Sequence, residues 1–285
     1  MKSYIILLIF SFQITWGQVI NKEKELLTDY PQYDIVMTYN NDFNNDGIKD
    51  LLYILSSKKE NNEELINSND SISKRKAVIF LGNNNTYFIK VFDDDNIFPC
   101  RECLGKSDNY IDELSFKNNI LSYTTSVAPF ASNVYSVIKF KLKFCDNNFT
   151  LFNYAEEYFV VGKDDSININ LEGNNFDAKF FNYYDWYFDK SWFSNIKLSN
   201  ENVSKINDYA FKLEKVNPSY SIEILKEIIE RFPERTVAYL NLADSFWNTE
   251  EKEKAIDNYK KYISLMKSQK KDVKKIPKRV IVRTK

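Results

Sequence analysis

The chain contains no histidine. That absence removes Ser-His-Asp and Cys-His nucleophile systems, HExxH zinc sites and imidazole proton relays together. Any catalysis would have to run on carboxylate, lysine, tyrosine or cysteine chemistry. An excess of one charge is missing as well: 39 Lys and Arg stand against 40 Asp and Glu, a formal net charge of −1. No global field therefore draws the chain towards nucleic acid or anionic lipid. Beyond the N-terminus there is no apolar run long enough to cross a bilayer, so no membrane span is expected. Cysteine is scarce, at three residues. What is present is a hydrophobic content of 44% over 285 residues. That suffices for a packed core, argues against wholesale disorder and leaves room for two modest domains.

The first residues read "MKSYIILLIFSFQITWGQ". Lys2 supplies a minimal positive start, and Tyr4 to Phe12 is apolar but too short to span a membrane. Thr15 and Gly17 are small enough for the −3 and −1 positions of a cleavage site. We read residues 1–17 as a secretory signal peptide, which makes the mature chain exported: periplasmic, cell-surface or extracellular. The rival reading is a buried first strand. No cysteine follows the apolar run, so a lipid-anchored start is not indicated.

Composition changes near residue 200. Before it, short apolar runs alternate with Asn/Asp/Gly clusters, the pattern of strands and turns. In "VIKFKLKFC", Ile138, Phe140, Leu142 and Phe144 alternate with Lys139, Lys141 and Lys143, which places the lysines on the solvent face of a strand. "DNN" at 146–148 turns this strand into "FTLFNYAEEYFVV", a hairpin. Further strands are expected at Asp34–Tyr39, Leu51–Leu55, Ala77–Leu81, Tyr87–Phe92, Ile120–Thr124 and Ile167–Leu171, with a short helix over 22–29. Residues 58–75 read as a long polar loop, and "DDDN" at 93–96 as a solvated turn. After residue 200 the period becomes helical. The expected class is α+β: a mainly-β domain over 18–198, a helical domain over 199–272 and a basic tail over 273–285.

Two stretches resemble known families. Counted from Thr236, the helical part has Tyr239, Leu242, Ala243 and Phe246 at the fourth, seventh, eighth and eleventh places. Ala255, Tyr259 and Tyr262 stand at the twentieth, twenty-fourth and twenty-seventh. That spacing resembles the tetratricopeptide repeat, although Lys267 stands where the repeat commonly has proline. A preceding unit with Ile206, Tyr209, Ala210, Leu213, Ser221, Leu225, Ile228 and Pro233 is similar if its inter-helix turn is one residue shorter. The resemblance implies a concave surface that holds a protein segment, with Tyr239, Asn241 and Asp244 as contributors.

The other stretch is "DFNNDGIKD" at 42–50, which leads straight into "LLYIL". Calcium takes six to eight oxygens at about 2.3–2.6 Å. Asp42, Asn44 and Asp46 alternate, Gly47 permits a sharp bend, the Ile48 carbonyl is a fourth donor and Asp50 a fifth. An EF-hand would need a bidentate glutamate where Tyr53 stands, so this is not one. The loop with its following strand is similar to the calcium loop of FG-GAP/VCBS-type β repeats, as a single unit rather than a propeller. The rival reading is a polar turn whose side chains cap their own backbone.

"PCREC" places Cys100 and Cys103 three apart. A local structural disulfide is the favoured reading in an exported chain, with pairing of either to Cys145 and CxxC redox chemistry as alternatives. The aromatics of 176–193 read as core, with Trp186 and Trp192 as the alternative of a stacking patch for glycan or peptide. From Lys267 onward nine Lys and Arg stand against one Asp. They read as a solvated end to the last helix, or as a segment that docks on an acidic surface. The expected function is an exported, non-enzymatic protein-binding or scaffold protein with structural calcium and a protein or peptide partner. The alternatives are a cell-envelope enzyme acting on glycan through carboxylates such as Glu156, Glu157 and Asp185 or through the CxxC pair, and a toxin-immunity type of inhibitor.

Overall fold

A computed structural model describes residues 16–58, 74–83, 87–100, 111–127, 134–162, 166–176, 180–184 and 196–285. Helix α1 (Trp16–Asp29) comes first, starting earlier than the expected 22–29. Four strands follow: β1 (Tyr33–Asn41), β2 (Asp50–Ser57), β3 (Arg75–Gly82) and β4 (Phe88–Phe98). They form one antiparallel sheet in sequence order. β5 (Asp112–Lys117), β6 (Ile120–Val127), β7 (Val134–Cys145), β8 (Asn148–Val160) and β9 (Ser166–Glu172) form a second, again in order. Helices α2 (Val203–Leu213), α3 (Pro218–Arg231), α4 (Thr236–Asn248), α5 (Lys252–Ser268) and α6 (Lys278–Arg283) complete the chain. The architecture is α+β, a mainly-β front followed by a helical back. No helix among the described residues is long and apolar enough to cross a membrane.

β2 shows why this order holds. Its run "LLYIL" is buried on both faces. Leu51, Tyr53 and Leu55 point to one side, where they meet Leu26 of α1, Val78 and Phe80. Leu52 and Ile54 point to the other, into the main core with Ala77, Ile79 and Phe92. A strand with period two therefore serves two layers at once. The second sheet closes over that inner face through aromatic rings: Phe92 meets Phe149 at 5.1 Å, and Phe98 meets Tyr123 at 5.1 Å. Each such ring contributes about 1.5–3 kcal/mol by leaving water. The same core runs on without a break into the helices through Tyr209, Leu225, Leu242 and Tyr259.

Two hairpins of the second sheet turn on two residues each. Asn118 and Asn119 (φ 53° and 58°) join β5 to β6, and Asp146 and Asn147 (φ 51° and 58°) join β7 to β8. Left-handed φ at both central positions makes a type I′ turn, whose twist matches that of the flanking strands and which Asn and Asp tolerate. β7 follows the expected alternation, with Ile138, Phe140, Leu142 and Phe144 buried.

Three expectations are corrected. β5 was not foreseen. "DDDN" is not a solvated turn: Asp93 to Asn96 lie inside β4, where register shifts mark bulges in its pairing with β3. Asp93 is held there by Lys76 at 2.7 Å and by the Tyr30 hydroxyl. The basic end is not wholly a solvated extension, because it includes α6, whose Val280 is fully buried. The polar loop at 59–73 lies outside the described residues, as do Trp186 and Trp192. Of the aromatic segment that is described, Phe181, Tyr183 and Tyr184 are core.

The helices pack where small residues let them. Ala210, Ser221, Ala243, Ser245 and Ala255 are fully buried. The Ser221 hydroxyl lies 3.0 Å from that of Ser245 and donates to the Ala210 carbonyl at 2.7 Å, which ties α2, α3 and α4 together. Pro218 opens α3 behind Asn217, whose side chain accepts from the Tyr220 N–H at 3.1 Å; this cap satisfies one of the first-turn donors.

Candidate functional site

Among the described residues three carboxylates are buried, Asp50, Glu156 and Asp244, and each is satisfied differently. The first is Asp50, fully buried at the start of β2. Its Oδ2 accepts the Phe43 N–H at 2.8 Å and its Oδ1 accepts the Gly82 N–H at 3.0 Å. It thus ties the loop after β1 to the end of β3. Phe43 anchors that loop from inside, stacked on Phe116 with centroids 4.2 Å apart. Gly82 is needed for close approach: a Cβ there would stand 2.4 Å from the Lys49 carbonyl oxygen and 2.7 Å from Ile48 Cγ2. Burial pushes the Asp50 carboxyl up to about 6 against the two backbone N–H bonds, and the charges of Asp46 and Asp42 push the same way.

The rest of the loop folds on itself. Asp42 accepts the N–H groups of Asn45 at 2.7 Å, Asp46 at 3.2 Å and Gly47 at 2.9 Å. Asp46 accepts from the Ile48 N–H at 2.7 Å and from the Asn44 amide at 3.0 Å. Asn45 and Gly47 take left-handed φ of 65° and 85°. The donor set is therefore all oxygen, which suits a hard cation such as calcium and not zinc. Among the described residues, no group of three or more Asp, Glu, Cys or His side chains gathers in a metal-holding arrangement. The carboxylates cap backbone instead, as in the rival reading of the sequence. Asp42 Oδ1 takes two of these N–H groups, whereas Asp42 Oδ2, Asp46 Oδ1 and each Asp50 oxygen take one and keep a second lone pair.

The second carboxylate, Glu156, lies on β8 where the second sheet meets α2. Tyr154 and Tyr209 donate their hydroxyls to it, the latter at 3.1 Å. Burial is the largest influence and holds its pKa above the ordinary 4.5, against hydrogen bonds from Tyr154, Tyr158, Tyr209 and Ser136. At 5% exposure it cannot reach a glycan. Its neighbour Glu157 accepts from Ser166, and Asp185 lies outside the described residues.

The third is Asp244 on α4, 5% exposed. Arg279 of α6 grips it with Nε at 3.0 Å and Nη2 at 2.7 Å, a two-pronged contact. Arg283 adds Nη1 at 3.2 Å, and Tyr259 donates its hydroxyl at 2.6 Å. The Arg283 guanidinium also lies over the Trp247 ring, 4.3 Å from its centroid. The bond to Asp244 raises the Arg279 pKa. Glu214 stands near enough that the Asp244 charge adds to burial in raising its own pKa. The expected contact residues Tyr239, Asn241 and Asp244 all sit on α4 and are all at least nine-tenths buried. Arg279, Arg283 and Trp247, which complete the cluster, were not singled out from sequence. Their signal was the i, i+4 arginine pair in "RVIVR".

A basic cleft of about 540 Å³ opens beside the α3–α4 turn. Arg231 there pairs with Glu227 at 2.6 Å, Lys271 donates to Thr236 at 2.8 Å, and Arg235 donates from Nη2 to Ser204 at 3.0 Å while its Nε has no partner among the described residues. Cys145 is exposed and free, which removes its pairing with Cys100 or Cys103. Cys100 is buried and disulfide-bonded, while Cys103 lies outside the described residues.

No family model, curated protein or solved structure matches this chain.

Proposed function

We propose that the chain is an exported, non-enzymatic binding protein. In this reading the front half is an FG-GAP-like unit steadied by one structural calcium ion, and Cys100 pairs with Cys103. The back half is tetratricopeptide-like and presents a surface to a segment of another protein.

The observation that carries the binding role is the Asp244 cluster. A buried carboxylate with Trp247 and Tyr259 beside it accepts two arginines of a short helical segment, here the chain's own end. A surface with that chemistry suits an arginine-bearing protein segment. Calcium is supported by the oxygen-only donor set of Asp42, Asn44, Asp46, Ile48 and Asp50, and by a buried Asp50 whose ionisation two neighbouring carboxylates oppose. One bound dication would relieve that repulsion and fix the loop between β1 and β2. The glycan-enzyme alternative loses support from the burial of Glu156.

The test is cross-linking and pull-down from cell-envelope extract with the wild-type chain and with Asp244→Arg. A partner recovered by the first and lost with the second supports the reading. Equal recovery by both, or none by either, overturns it.

A further inference from the structure

We infer that α6 is a displaceable latch: the chain's own C-terminal helix occupies the α4–α5 surface, and the partner is a helical segment that carries arginines four residues apart. This deepens the proposal above and rests on it for the existence of a partner.

The segment has the marks of an occupant rather than of a structural member. α6 spans six residues, too few to hold a helix unaided. It buries one side chain, Val280, whereas α5 buries five over 17 residues. Its Ile281 and Val282 are 45% and 70% exposed, apolar groups that contribute little packing where they stand. A link from Gln269 to Pro277, with one short 3₁₀ turn at Val273–Lys275, joins it to α5. What holds it, besides Val280 in the core and Ile276 packed against that core, is charge. The Arg279 side chain, 43% exposed, reaches an Asp244 carboxylate that is 7% exposed, and Arg283 joins it at 23%. Lys278 and Lys285 add positive charge around the pair.

The surface beneath is formed independently of the latch. Asp244 and Trp247 lie on α4 and Tyr259 on α5, helices that pack directly on each other and share the main core. Tyr259 donates its hydroxyl to Asp244 at 2.6 Å, a contact between α4 and α5 that involves no atom of α6, and the same hydroxyl accepts from Arg283. Release of α6 would uncover the Asp244 carboxylate and leave it, with the Glu214 charge nearby, without its two guanidinium partners. That is a strong recognition element for an incoming guanidinium. The spacing defines the ligand: arginines four apart fall on one side of a helix, with an apolar residue next to the first, as Val280 follows Arg279. The resident segment lowers the apparent affinity for any competitor by the fraction of time the surface is closed.

The test uses the full chain and a fluorescein-labelled peptide of residues 272–285. Arg279→Ala/Arg283→Ala should bind the peptide at least tenfold more tightly than wild type in fluorescence anisotropy. Adding Asp244→Ala to that variant should abolish the gain. In wild type, hydrogen exchange at Val280 and Thr284 should run at least a hundredfold faster than at the centre of α5, and faster again in high salt. Any of three results overturns the latch: peptide affinity no higher in the double variant, exchange at Val280 matching that of α5, or loss of the helical circular dichroism signal in the double variant. The last would make α6 part of the structural stack. A pull-down partner that depends on Asp244, found together with one of these results, would refute the latch and leave the binding role standing.

Discussion

The front and back halves answer the same problem differently. Each buries carboxylates near its centre. In the β half, Asp50 and Glu156 are met by neutral donors only: two backbone N–H groups for the first, tyrosine and serine hydroxyls for the second. In the helical half, Asp244 is met by two guanidinium groups. The difference teaches where each half is open to control. Burial raises the pKa of both β-half acids and the neutral donors offset it only in part, so an added cation would favour the ionised acidic loop. Guanidinium groups compensate the charge, and they come from α6, the six-residue helix inferred above to be displaceable.

The largest test asks whether the halves are thermodynamically separate at all. Phe140 of β7 is fully buried in the core that both share, with Tyr123 at 5.3 Å and Phe181 at 5.2 Å. Phe140→Ala should cost about 3–5 kcal/mol. A single transition in chemical denaturation, moved equally for fluorescence and circular dichroism, is expected. Two transitions, with only the first moved, would break the continuous-core description.

Gly82→Ala sharpens the β side of the comparison. The added Cβ meets the Lys49 carbonyl at 2.4 Å, so the backbone that presents the Gly82 N–H to Asp50 must shift. A loss of about 1–3 kcal/mol is expected from this crowding. An unchanged melting temperature would show that Asp50 does not need that donor.

The smallest effect concerns pH. Glu156 has a folded pKa above its ordinary 4.5, so the folded chain keeps a proton that the unfolded chain has lost. Its contribution to stability is present below about pH 4.5 and declines as pH rises through the folded value. Glu156→Gln should flatten that segment of the stability curve while keeping acceptors for the Tyr154 and Tyr209 hydroxyls. Identical curves for wild type and variant would show that Glu156 ionises freely in the fold.

Much of this was legible in residue order. The lysine alternation in β7, the aliphatic run of β2 and the helical spacing from Thr236 read directly, because in each the pattern and the burial coincide. β5 was missed because its "DELSFK" has little apolar content; the two-residue Asn118–Asn119 turn was its clearer sign. The acid run at 93–96 misled because polarity was read as a turn, whereas Lys76 and Tyr30 hold Asp93 in a strand. The acidic loop could be located but not its arrangement, since the same alternating Asp and Asn serve a cation or their own backbone equally well. The Asp244 cluster joins residues 35 and 39 positions apart, beyond the reach of local periodicity.

The contrast between the halves is tested most directly by calcium titration in a calorimeter with wild type, Asp46→Ala and Asp244→Asn. The account predicts one calcium per chain in wild type, none in Asp46→Ala and an unchanged isotherm in Asp244→Asn. No binding heat in wild type, or equal binding by wild type and Asp46→Ala, would contradict it.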